Sequence, residues 1–220
     1  MTMEAENKKK EKKTVDFDTK RKRINRFFHI VYPIAGFFYN LVHPIKVLHR
    51  ERFPEGAALV CPNHTGLSDP VIMMLAGGIN GHQRPMAKQE LLDTPVLGKI
   101  VAALGVFGVR RGGNDVGAIK TAIRYLKAGD KVIMFPEGTR VAEGEDLAAK
   151  NGVAMIALKT GAPIFPVYIS PKKRWFRWTY VVFGEAFTPT CEGKRPTEAD
   201  YRRIGAEWKE KVRLLGEELK

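Results

Sequence analysis

The sequence predicts an α/β fold, with a central, mostly buried sheet flanked by helices and an N-terminal helical element suited to docking on a membrane. Three observations carry that expectation. From about Ile45 onward, short continuous apolar runs alternate with amphipathic stretches, as buried strands covered by helices require. Ahead of them, residues 1–23 are charged and low in complexity, and 24–44 are apolar and aromatic. The length of 220 residues and a hydrophobic content of 44% suffice for one well-cored domain with an appendage, assigned here to 45–220.

The first segment contains Lys8-Lys9-Lys10-Glu11-Lys12-Lys13 and Lys20-Arg21-Lys22-Arg23. It lacks the apolar residues that offset ordering entropy, so disorder is expected over 1–23. A plain solvated tail and a nucleic-acid-binding tail share that composition. Phe27 to Val42 reads FFHIVYPIAGFFYNLV, with Pro33 in its middle. As a straight helix it would span roughly 24 Å, short of a hydrocarbon core about 30 Å thick. A basic stretch followed by an aromatic, proline-interrupted segment suits insertion into one leaflet, with cations among the headgroups. A buried core helix is the competing assignment.

Ala57-Ala58-Leu59-Val60-Cys61 reads as a buried strand, and Pro70 to Ala76 as a helix with proline near its first turn. Residues 95–104 form a second helix by pattern. Asn114 to Lys127 is amphipathic, with Ile119, Ala122, Ile123 and Leu126 inward and Lys120, Arg124 and Lys127 outward. Lys131 to Phe135 is a strand, Gly152 to Thr160 a helix, and Ile164–Ile169 and Thr179–Phe183 are strands. Tyr201, Ile204, Trp208, Val212, Leu215 and Leu219 recur at helical spacing, a stripe for packing.

Charge and cysteine content narrow the function classes. The formal net charge is +13, which draws polyanions: nucleic acid, anionic headgroups or phosphorylated substrates. The two cysteines, Cys61 and Cys191, make neither a disulfide framework nor a zinc spacing, and both read as packing residues. No metal site is expected. Neither a P-loop nor a GxGxxG fingerprint occurs, so nucleotide hydrolysis and dinucleotide binding lack support.

Four short runs carry chemistry. Asn63-His64-Thr65-Gly66-Leu67-Ser68-Asp69-Pro70 puts a histidine five residues before an aspartate at a helix mouth. An imidazole can take a proton while a carboxylate on its other nitrogen sets tautomer and orientation. A tight turn, which Gly66 permits, would return Asp69 to His64; alternatively, Ser68 or Asp69 simply caps the helix. Ser68 as a nucleophile would crowd a triad into six residues, and no GxSxG elbow occurs. Phe135-Pro136-Glu137-Gly138-Thr139-Arg140 supplies a glycine backbone, a hydroxyl and a guanidinium that suit an anion, with Glu137 placed to orient the arginine or meet a substrate hydroxyl. Arg110 and Arg111, amid glycines over 105–113, are a second candidate phosphate contact. Lys172-Lys173-Arg174-Trp175-Phe176-Arg177-Trp178 mixes cations with large aromatics, which suits a membrane interface, stacked single strands, or a basic loop over buried tryptophans.

Together these runs resemble the glycerophospholipid acyltransferase family, in particular bacterial 1-acyl-sn-glycerol-3-phosphate acyltransferases of the PlsC type. The Asn-His-x4-Asp block matches Asn63, His64 and Asp69. The second block is similar to Lys88 through Pro95 and Gly98 to Gly105, with Phe107, Val109 and Arg111. The Phe-Pro-Glu-Gly-Thr-Arg block matches 135–140 at every position, and the apolar strand with central proline resembles Ile164-Phe165-Pro166-Val167. Thr65-Gly66-Leu67-Ser68 and Arg110 depart from residues common in the family at those positions.

The resemblance implies that His64 is the general base and Asp69 its orienting partner. The base would deprotonate the sn-2 hydroxyl of a lysophosphatidate, which attacks an acyl thioester directly to give phosphatidic acid. It further implies that Arg111, Glu137, Gly138, Thr139 and Arg140 bind the glycerol phosphate, and Arg110, the other of the paired arginines, is counted with them as a candidate contact. No cofactor is expected, with acyl carrier protein or CoA bringing the acyl group as a thioester substrate. The expected partners are an anionic membrane surface, lysophosphatidate and that donor, not nucleic acid. The expected location is the cytoplasmic face of the cell membrane, as a peripheral or monotopic protein.

Overall fold

The apolar run near residue 60 becomes a strand buried on both faces. Ala58 and Val60 point into one layer and Leu59 and Cys61 into the other, all fully buried, as the two-residue period of a strand dictates. It lies in the middle of a seven-stranded sheet. The computed structural model describes residues 3–110, 115–139, 151–191 and 193–219, with backbone only over 3–13.

Helix α1 (Met3–Val42) leads into strand β1 (Ile45–Leu48), then β2 (Ala58–Pro62) and helix α2 (Asp69–Ala76). Strand β3 (Gln83–Lys88), helices α3 (Gln89–Leu92) and α4 (Leu97–Ala103), and strand β4 (Phe107–Val109) follow. Next come α5 (Val116–Lys127), β5 (Lys131–Ile133), α6 (Gly152–Thr160), β6 (Ile164–Ile169), β7 (Thr179–Phe183) and α7 (Glu198–Glu217). The strand order is β1-β7-β6-β2-β5-β3-β4, and every pairing is parallel except β6 with β7.

The two faces have separate cores. Leu59, Val132 and Ile164 meet Tyr125, Leu126, Ile156, Ile204 and Trp208 from α5, α6 and α7. Val60, Ile133, Phe165 and Val181 meet Ile72 and Met73 of α2 and Phe28 of α1. The expected stripe on α7 is real, burying Ile204, Trp208, Val212 and Leu215 behind a capping box of Thr197 and Asp200.

The sheet is wider than the sequence pattern indicates. Strand β3 reads Gln-Arg-Pro-Met-Ala-Lys and β4 contains Gly108, compositions with poor strand propensity. Here tertiary pairing decides: Arg84 of β3 is buried with its guanidinium on Asp130, 3.0 Å away.

The expected disorder over 1–23 gives way to helix from Met3 onward. Lys and Glu favour helix, and the later part of this stretch has tertiary anchors that charge content alone conceals. Phe17 packs on Tyr125 with ring centroids 5.2 Å apart, and Arg124 sits 4.2 Å over its ring. Arg21 pairs with Asp130 at 2.8 Å, and Ile24 is buried. The helix continues through Pro33 to Val42 with two apolar faces. Phe28 packs into the core and the Tyr32 hydroxyl donates to the Leu75 carbonyl at 2.9 Å, while Ile30, Ile34, Phe37, Phe38 and Leu41 face outward. Among the described residues, no helix is long and apolar enough to cross a membrane.

Candidate active site

Strand register explains why two motifs some seventy residues apart converge. Val60 of β2 pairs with Ile133 of β5, and each chain then leaves the sheet at its carboxyl end. His64 and Glu137 lie four residues beyond that pair, in the crevice where parallel α/β sheets present ligand sites. Strand β6 flanks β2 on its other side, and Asn63 ties the two together. Its Nδ2 donates to the Ile169 carbonyl at 3.0 Å and its Oδ1 accepts the Ile169 N–H at 2.7 Å.

The turn between His64 and Asp69 closes on a single carboxylate. Asp69 Oδ2 lies 3.0 Å from His64 Nδ1 and accepts the backbone N–H groups of Thr65 and Gly66, each at 2.7 Å. Its other oxygen, Oδ1, is 2.6 Å from Lys173 Nζ, which also donates to Thr65 Oγ1 at 2.6 Å. Burial pushes the Asp69 carboxyl up, but bonds from His64, Lys173 and the turn amides outweigh it and hold the group below the usual carboxylate range. An ionised Asp69 only accepts, so Nδ1 carries the imidazole proton and Nε2 is left basic. The His64 ring also packs against Phe135, centroids 4.1 Å apart.

Gly66 has a negative φ, so this turn makes no use of left-handed freedom. Proximity restricts the position instead: a Cβ there would stand 3.3 Å from Lys173 Nζ and 3.5 Å from Asp69 Oδ1. Ser68 makes no side-chain capping bond to α2.

The second motif lies against the histidine loop, and its Gly138 and Thr139 line the same cavity as His64. Glu137 is buried, and its carboxylate accepts the His64 backbone N–H at 2.9 Å. Burial raises its carboxyl to about 7, against the lowering effect of that bond and with a further push from the Asp69 charge. Glu137 thus holds the histidine loop. Gly138 adopts φ 68°, a left-handed conformation that favours glycine, and its N–H is taken by the Phe135 carbonyl at 2.9 Å. Thr139 is exposed at the rim. Arg111 and Arg140 lie outside the described residues. Arg110 is exposed, and its backbone N–H is held by Asp115 at 2.8 Å.

His64 opens onto a cavity of about 820 Å³. Its lining is mainly apolar, with Leu67, Leu91, Ile119, Met134, Val153 and Ile156, while Lys88, Arg110 and Thr139 supply polar groups. Lys88 reaches the site because β3 pairs with β4, setting Lys88 opposite Val109 beside Arg110. An apolar volume beside a base and cations accommodates a molecule with a long hydrocarbon part and an anionic head.

Sequence reading missed Lys173 as a site residue. It lies 104 positions from Asp69, inside a stretch that reads as a membrane or nucleic-acid contact, and no spacing rule joins the two. That stretch is also not a loop over buried tryptophans: Trp175 is 72% exposed and Trp178 57% exposed.

Comparison with known proteins agrees with this geometry. The acyltransferase family model matches residues 44–170. The 1-acyl-sn-glycerol-3-phosphate acyltransferase of Bacillus subtilis is 35% identical over 125 residues, covering 56% of this chain and 60% of that protein. The enzyme of the same description from Borreliella burgdorferi is 30% identical over 138 residues, covering 60% and 53% respectively. The matches therefore span less than two thirds of these relatives' own length. The crystal structure of the 1-acyl-sn-glycerophosphate acyltransferase PlsC from Thermotoga maritima superposes with a TM-score of 0.65 at 27% identity, covering 90% of this chain and 80% of that one.

Proposed function

The chain belongs to the acyltransferase family, and from that premise we propose that it transfers an acyl group from a thioester to the sn-2 hydroxyl of 1-acyl-sn-glycerol 3-phosphate, giving phosphatidic acid. The observation that carries this reading is the His64–Asp69 pair opening directly on the apolar cavity, with Arg110 and Lys88 among its lining.

The chemistry follows from the tautomer. Asp69 keeps the proton on Nδ1, so Nε2 accepts the hydroxyl proton of the lysolipid as its oxygen attacks the thioester carbonyl. The tetrahedral intermediate expels the thiolate, and the proton held on Nε2 can return to that leaving group. Ser68 takes no part, and no acyl-enzyme forms. The thioester is already activated, so this route calls on neither metal nor ATP. Holding both substrates together, with the base aligned, supplies much of the acceleration.

The cations fit the acceptor phosphate: Arg110 and Lys88 line the cavity, and Arg111 and Arg140 directly follow Arg110 and Thr139 in the sequence. Acyl carrier protein and CoA are both anionic donors that suit a chain of net charge +13. The outward apolar face of α1 supports peripheral or monotopic seating on the cytoplasmic face of the cell membrane, where such an acceptor resides.

The test is a matrix of acyl-carrier and CoA thioesters against lysophosphatidate and other lysolipids in mixed micelles. Transfer to lysophosphatidate, lost in His64→Ala with the fold intact, is the expected result. Full activity of that variant defeats the assignment.

A further inference from the structure

Lys173 occupies an unusual place for a lysine. Its side chain is only 11% exposed, and its ammonium meets both ends of the turn that sets the base, in an ion pair with Asp69 Oδ1 and a hydrogen bond to Thr65 Oγ1, each at 2.6 Å. Three donors already share Asp69 Oδ2, so Lys173 is the cation on the opposite oxygen of a fully buried carboxylate. An ammonium so placed both restrains the carboxylate and balances its charge.

The loop that carries Lys173 turns outward two residues later. Trp175, Phe176 and Trp178 are all largely exposed, and Phe176 sits at φ 56°, a region aromatic residues rarely adopt. The Phe176 N–H donates to the Val42 carbonyl at 2.7 Å, and Trp175 meets the edge of His43, ring centroids 6.0 Å apart. The loop is thus fastened to the end of α1, whose outward face bears Phe37, Phe38 and Leu41. Helix and loop form one aromatic patch flanked by the exposed Lys172, Arg174 and Arg177.

We propose that Lys173 is a positioning residue for the His64–Asp69 pair, and that the loop carrying it seats on an anionic bilayer through Trp175, Phe176 and Trp178, so that one loop joins membrane contact to orientation of the base. Aromatics at the level of the headgroups, ringed by cations, match the polarity profile and charge of an anionic lipid surface. The positioning half rests on the acyl-transfer reading of the pair.

The test uses the full chain and two sets of variants. Lys173→Met is expected to lower kcat by about 10- to 100-fold with little change in KM, a misaligned base being costly. The acid limb of its kcat/KM profile moves to higher pH, because the carboxylate facing the imidazole loses its compensating cation. Lys173→Gln, which keeps a hydrogen-bond donor and preserves the fold should the methionine variant unfold, shows the same movement with a smaller loss. Lys173→Arg restores most of the rate. The low-field Nδ1–H proton resonance of His64 shifts or vanishes in the methionine and glutamine variants. Trp175→Ala with Trp178→Ala lowers partitioning onto phosphatidylglycerol-rich vesicles about tenfold, with a smaller effect on neutral phosphatidylcholine vesicles.

An unchanged rate, pH profile and proton resonance in Lys173→Gln overturn the positioning role. Unchanged vesicle partitioning in the double variant overturns the docking role, as does wild-type protein that binds a single-stranded oligonucleotide and ignores vesicles. If wild-type protein acylates no lysolipid, the functional reading fails alone, since the resonance and the partitioning need no turnover.

Discussion

The Glu137 carboxylate accepts the backbone N–H of His64 at 2.9 Å, so the loop after one strand is held by the loop after its neighbour. The contact exists because β2 and β5 pair with Val60 opposite Ile133, placing both residues at the same height above the sheet. It fixes the backbone of the histidine, while Asp69 fixes its ring.

That contact predicts a pH dependence of stability. Burial raises the Glu137 carboxyl from its ordinary 4.5 to about 7, so the fold penalises its ionised form. Its contribution is therefore complete below about pH 4.5 and is lost as pH rises towards 7, a change on the order of 3 kcal/mol. Glu137→Gln keeps an acceptor and removes the titration, so its melting temperature falls less between pH 5 and pH 8 than that of wild type. Glu137→Ala leaves the His64 N–H without an acceptor and costs about 1–3 kcal/mol in urea denaturation.

His64→Ala is expected to lower kcat by about 10²- to 10⁴-fold, the range of a lost general base. Circular dichroism should be unchanged, because the ring lies in a loop and Asp69 keeps the Thr65 and Gly66 amides and Lys173 when its bond to the ring is lost. Ser68→Ala should retain nearly full activity. An inactive Ser68→Ala, or an acyl-serine detected by mass spectrometry, would point to a lipase-like nucleophile instead.

The cavity wall should govern acyl-chain length. Ile119 of α5 lines it and is only partly buried, so a larger residue there intrudes without disrupting the core. Ile119→Trp should shift the preference towards shorter thioesters by about tenfold in kcat/KM, the scale on which a hydrophobic pocket discriminates a methylene or two. A series of acyl donors of graded length measures it.

The attachment of α1 should depend on Asp130. Its carboxylate is 1% exposed and takes Arg84 at 3.0 Å and Arg21 at 2.8 Å. Asp130→Ala strands the Arg84 guanidinium in the interior, a loss of about 3–5 kcal/mol by urea denaturation. Amide exchange over residues 14–28 should quicken more than over α7, because Arg21 loses its anchor as well.

Legibility in the sequence tracked how local each determinant is. Strand β2, helices α2, α5, α6 and α7, and the His64–Asp69 pair are written in contiguous runs, where period, capping and a five-residue turn suffice. Strands β3 and β4 were illegible because Pro85 and Gly108 mask them, and their pairing partners supply what propensity does not. The tail over 1–23 shows the converse. Its charge predicts disorder, yet Phe17 and Arg21 find Tyr125 and Asp130 more than a hundred residues away.

By itself the sequence determined the α/β architecture, the pairing of His64 with Asp69, and the FPEGTR run, since each depends on residues close along the chain. Only the tertiary structure decided how those parts are held. Strand register set the Glu137 carboxyl on the His64 N–H, and the loop after β6 brought Lys173 to the second oxygen of Asp69. A buried carboxylate has more than one lone pair to satisfy, and in this fold the neighbour of a turn is whatever the adjacent strand delivers there.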